Sequence, residues 1–110
     1  MKIIEHSENV DKRTLYKLTK SGSLEKVKDH DGEQFTIVDY VLFTDDNSDG
    51  EEKTILSFVT ADGECFGTNS ATVIKSFLAM KEIFGLPIED VAITSGQSKH
   101  GTRYFNLELI

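Results

Sequence analysis

Several residue types are nearly missing from this chain of 110 residues: it has one cysteine, one proline, two methionines and no tryptophan. A lone thiol, Cys65, cannot close an internal disulfide, and it excludes zinc sites built from several thiolates. Such usage fits a reducing compartment, and the expected location is the cytoplasm. No run approaches the roughly 20 consecutive apolar residues of a membrane helix. The opening Met1-Lys2-Ile3-Ile4-Glu5-His6 also lacks the apolar stretch of a secretory leader. Basic side chains are scarce, with 12 Lys and Arg against 19 Asp and Glu, a net charge of -7. Bulk positive charge is therefore not how this protein would hold a polyanion. The imbalance is local, however: residues 1–30 carry +2 and residues 31–110 carry -9.

What is present suffices for one folded domain over residues 1–110, since 38% of the residues are hydrophobic and 9% aromatic. Leu15 and Leu18, with Lys17 and Lys20 in the last turn before Gly22, predict a short helix over 11–20. Residues 21–34 read as a polar connection, so 1–30 forms a helical and looped N-terminal extension to a core over 31–110. Phe35–Thr44 and Lys53–Ala61 are rich in β-branched and aromatic residues and predict strands. Asp62-Gly63 predicts a tight turn into a third strand, Glu64–Gly67. Thr68-Asn69-Ser70 offers capping oxygens to a helix whose apolar face is Val73, Ile74, Phe77, Leu78, Ile83 and Phe84, ended by Gly85 and Pro87. Asp90–Ser95 and Thr102–Leu109 form a last hairpin, with Val91, Ile93, Phe105, Leu107 and Leu109 toward the core.

The class is mainly β, in the α+β sense. Its order, β-β-β-α-β-β behind an N-terminal helix, is that of an OB-like five-stranded barrel, and an open sheet with the helix on one face satisfies the same string.

Catalytic and metal signatures are weak. Asp45-x-Asn47-x-Asp49-Gly50 matches the start of a calcium loop, but the twelfth position is Leu56 where a bidentate Glu belongs, so a solvated hairpin loop is expected. His6, His30 and His100 are scattered, and no metal site or cofactor is expected. No nucleophile elbow or phosphate loop is present, and the protein is read as a non-enzyme. One local grouping stands out in the acidic part: Lys99, His100 and Arg103 beside Tyr104, cations for phosphates and a ring for a base. If Ile55 and Val59 face the core, period-two alternation turns Leu56 and Phe58 outward, with Lys53 near the strand's start. Tyr40 is read as outward too, and Phe66 is undecided. Each of these rings could equally pack in a small core.

Three segments belong together: Asp31-Gly32, the stretch from Thr54 through Asp62-Gly63 to Phe66, and the ending from Ile93 through Gly96-Gln-Ser-Lys-His-Gly101 to Leu109. In these, residues 31–110 resemble the small single-stranded DNA-binding proteins of phages of Gram-positive bacteria, the protein-primed Bacillus phage type included. The resemblance implies an OB-like, non-catalytic protein that coats single strands during phage DNA replication in the host cytoplasm, with replication proteins as further partners. Bases would stack on Tyr40, Phe58, Phe66 or Tyr104. Lys53, Lys99, His100 and Arg103 would neutralise phosphates, with Lys17 and Lys20 extending the track. A free strand edge would allow self-association. The rival reading is an acidic protein-interaction module or DNA mimic, carried by Asp45, Asp46, Asp49, Glu51 and Glu52 in one loop.

Overall fold

A computed structural model describes residues 1–20, 22–46 and 50–110. The chain runs β1 (Lys2–His6), α1 (Lys12–Thr19), β2 (Glu25–Lys26), a single 3-10 turn (Val27–Asp29), β3 (Gln34–Asp46) and β4 (Glu52–Thr60). It continues through β5 (Cys65–Thr68), α2 (Ala71–Phe84), β6 (Ile88–Gln97) and β7 (Arg103–Leu109). Asn47 and Asp49 of the calcium-like sequence lie outside the described residues. No helix among the described residues is long and apolar enough to cross a membrane.

All the strands join one curled mixed sheet of order β2-β5-β4-β3-β6-β7, with β1 also on β3. The long β3 organises it. Its C-terminal half pairs with β4, from Asp39↔Val59 to Asp46↔Glu52, while its start pairs with β6, from Gln34↔Ala92 to Ile37↔Ile88. Register shifts near Ile37 mark where the strand bends from one partner to the other, as β-bulges do. Among the described residues there are seven strands, and the five expected ones are five of these. The additional two come from the expected N-terminal extension: β1 lies antiparallel on β3, and β2 parallel on β5.

Both helices begin where the caps predict. Asp11 accepts the Thr14 N–H at 2.7 Å, and Ser70 accepts the Val73 N–H at 3.3 Å. Each helix covers a different face. On the α2 side, Tyr40, Leu42, Leu56, Phe58 and Phe66 pack with Val73, Phe77, Met80, Ile88, Val91, Ile93 and Leu107. On the α1 side, Val41, Phe43 and Cys65 pack with Leu18, joined by Leu15, Ile55 and Val59.

Two-sided coverage corrects the expected sorting of side chains. Ile55 and Val59 do face apolar neighbours, but those lie under α1, and the alternate residues Leu56 and Phe58 are buried under α2 instead of facing water. Phe58 stacks between Phe66 and Phe77, at centroid separations of 5.2 and 6.5 Å, and Phe35 packs on both Phe58 and Phe66. Tyr40 is also buried, its ring 5.0 Å from Phe77 and its hydroxyl accepting from Lys81 Nζ at 3.1 Å. Tyr40, Phe58 and Phe66 are therefore core rings and present no face to a base. Three expected core residues are corrected in the other direction. Ile83 and Phe84 are exposed because the buried stripe of α2 ends at Met80, and Leu109 is exposed near the end of β7.

Candidate nucleic-acid interface

The curl leaves a seam. β5 and β2 stand at one end of the sheet and β7 at the other, without pairing. An open groove of about 700 Å³ fills the gap. Lys26, Val27 and Lys28 line one wall, Arg103, Tyr104 and Phe105 the other, and Asn69, Ser70 and Val73 at the start of α2 lie between them. Gly67 also lines it, packed closely under Leu24: a Cβ there would stand 2.8 Å from the Leu24 side chain.

Tyr104 is the half-exposed ring of this groove, with 48% of its surface accessible. In the β6–β7 register it lies opposite Gly96, and a Cβ at Gly96 would come within 2.6 Å of the hydroxyl and 2.7 Å of Cζ. The tyrosine therefore lies over the bare glycine backbone, an aromatic covering a strand glycine. One side of the ring is held by protein, and nearly half its surface stays open.

Arg103 is half-tethered. Its Nη2 donates to Asp31 Oδ2 at 2.9 Å, the same oxygen that accepts from Ser95 Oγ at 2.7 Å, and its guanidinium lies 5.0 Å from the Phe105 ring. The pair is solvent-exposed, so its Coulombic worth is small and a phosphate can compete for the arginine. α2 adds the partial positive charge of a helix start with no acidic residue in its first turn.

Of the residues expected to contact DNA, Arg103 and Tyr104 come together in this groove. Lys99 and His100 are exposed at the tip of the β6–β7 hairpin, where Ser98 accepts the Gly101 N–H and its hydroxyl the N–H groups of His100 and Thr102. Lys53 lines a second hollow of about 520 Å³, with Thr54, Lys75 and the apolar side of α2, and Asn69 borders both. Lys17 and Lys20 belong to α1 and its cap, on the opposite face of the sheet from α2. Lys26, Lys28 and Lys75 were missed by sequence reasoning. The one available signal for the first two was the basic excess of residues 1–30, which says nothing of where the lysines fold.

A second cluster lies at His30, on the sequence stretch read as a loop. Its Nε2 is 3.1 Å from Glu25 Oε2, its Nδ1 contacts Glu33 Oε2, and its ring packs T-shaped on Phe66 with centroids 5.1 Å apart. Hydrogen bonds to Glu25, then Glu33, raise the imidazole's pKa above its ordinary value, outweighing the opposing effect of burial. Ligating atoms of His30, Glu33 and Glu64 lie within 4.8 Å of one another, so the scattered histidines of the sequence conceal one grouping that the fold assembles. Elsewhere, Lys81 holds Glu5 at 3.0 Å as well as the Tyr40 hydroxyl. Burial alone would lower its pKa, and these two partners together raise it.

Compared with known proteins, the chain matches no family model, no curated protein and no solved structure.

Proposed function

We propose that this protein is a non-enzymatic, sequence-tolerant single-stranded DNA-binding protein that coats the strand during phage or prophage DNA replication. The observation that carries this reading is Tyr104 lying over Gly96 inside a groove that also holds Lys26, Lys28 and Arg103. A ring supported on one side offers its free face to any base, and flanking cations track the phosphates without reading sequence. Asn69 links this groove to the hollow holding Lys53 and Lys75, which extends the cationic path past the start of α2. The fold reading is OB-like: a long, bent β3 shared between β4 and β6, with a helix between the third and fourth core strands, supports it.

With Tyr40, Phe58 and Phe66 in the core, Tyr104 is the principal stacking ring. Anisotropy of labelled oligo-dT tests the reading: Tyr104→Ala weakens binding while the protein stays folded. Unchanged binding by that variant refutes the role of the ring.

The rival, an acidic module that binds a host DNA-processing protein, draws on one observation. Asp45 and Asp46 of β3 stand at the same sheet end as Glu52, with Asp46 directly opposite Glu52. Failure to bind any oligonucleotide at low salt, with capture of a host protein lost on neutralising these carboxylates, would favour it.

A further inference from the structure

We propose that His30, Glu33 and Glu64 form a binding site for a divalent first-row transition cation of the zinc class, with Glu25 orienting the imidazole. The site is independent of the DNA-binding reading.

Its donors come from separate segments: His30 follows the 3-10 turn, Glu33 precedes β3, and Glu64 lies in the turn between β4 and β5. The backbone under each is fixed. His30 donates its N–H to Val27 O at 3.1 Å and accepts at its own carbonyl from Glu33 N–H at 3.1 Å. Glu64 exchanges bonds with Thr60, accepting the Thr60 N–H at 2.9 Å and donating its own to Thr60 Oγ1 at 3.2 Å. Phe66 buttresses the imidazole through this T-shaped contact.

The donor chemistry selects the ion. One imidazole nitrogen with carboxylate oxygens suits zinc and its neighbours, whereas calcium and magnesium take oxygen alone. Ligands at about 2.0 Å from a tetrahedral ion stand roughly 3.3 Å apart, so a spread within 4.8 Å closes by side-chain rotation. Nδ1 is the nitrogen facing Glu33 and is the ligating atom. Nε2 then donates to Glu25, the carboxylate–histidine–metal arrangement that fixes tautomer and ring orientation.

Charge argues the same way. Three carboxylates gather around one imidazole. The negative charge of these carboxylates favours a divalent cation, which offsets part of it.

The test is calorimetric titration of the full chain with zinc sulfate near neutral pH, after stripping with EDTA, with thermal unfolding measured alongside. The expected result is one site per chain and a rise in Tm on adding zinc. Glu64→Gln, in an exposed turn, weakens zinc binding about tenfold or more with an unchanged metal-free Tm. Glu25→Gln costs about 10- to 100-fold, as outer carboxylates do. His100→Ala, outside the cluster, leaves zinc affinity unchanged. No binding at millimolar zinc, equal affinity in wild type and Glu64→Gln, or equally tight binding of calcium would each overturn the proposal.

Discussion

Replacing Tyr104 by Ala separates a binding ring from a core ring. Base–aromatic stacking contributes about 1 to 3 kcal/mol per base, so the variant's affinity for oligo-dT falls by about 5- to 150-fold. The stability cost follows from exposure. A fully buried aromatic covers about 150 to 250 Å². With 48% of Tyr104 accessible, about 100 Å² of packing against Gly96 and its surroundings disappears. At about 25 cal/mol per Å² this is at most about 2.5 kcal/mol, within the 5 to 15 kcal/mol typical of a domain. Anisotropy titrations of labelled oligo-dT, with urea melts of each variant, read the two effects separately. Tyr104→Phe retains affinity, whereas Tyr104→Leu restores much of the packing and not the stacking. Equal affinities for wild type and Tyr104→Ala would refute the argument. So would wild-type binding by Tyr104→Leu, which would make area, not the π-face, the operative quantity.

Other substitutions probe the remaining links. Changing Lys26 and Lys28 together to Gln lowers the slope of log K against log salt by about 1.4 for a single strand, about 0.7 for each phosphate no longer neutralised, measured from 50 to 200 mM salt. Phe58→Ala destabilises by about 3 to 5 kcal/mol in urea unfolding, since its ring is fully buried between Phe66 and Phe77; a loss under 1 kcal/mol would contradict its place in the core. Ser57→Ala raises stability by about 1 kcal/mol, because the buried Ser57 hydroxyl finds no hydrogen-bond partner among the described residues; a lowered urea midpoint would show that it has one. The Thr14 backbone N–H holds the Asp11 carboxyl below its ordinary pKa of 3.8. Its contribution is present above that value and lost as pH falls through the lowered one, so the stability difference between wild type and Asp11→Asn shifts only in acid; a shift between pH 6 and 8 would refute this.

Strong local chemistry made much of the fold legible. α2 lies between Ser70 and Gly85, and the β4–β5 turn falls at Asp62-Gly63, because a cap and a turn each announce themselves within a few residues. β1 and β2 gave no such signal. β2 is two polar residues, Glu25 and Lys26, whose strand character exists only through parallel pairing with Phe66 and Gly67. Alternation with one wet face misplaces Phe58 and Tyr40, since both faces of this sheet are covered. The unbroken run Tyr40-Val-Leu-Phe43 on β3 carried the contrary signal, since a strand buried on both faces reads as continuous rather than alternating. The groove was less accessible still. Lys26 and Arg103 line one groove from the two sides of a seam between sheet ends, and no spacing in the sequence encodes that placement. Tyr104 over Gly96 needed only the hairpin register, and it is the part of the interface nearest to being readable.

A strand-coating role stands or falls on selectivity for single strands over duplex. Purified protein is titrated into fluorescently labelled oligo-dT and into a duplex of equal length, by anisotropy, at low and moderate salt. Salt-sensitive binding to oligo-dT is expected, with little binding to the duplex at the same protein concentration. Absence of binding to either at low salt and micromolar protein, or equal affinity for both, would contradict it.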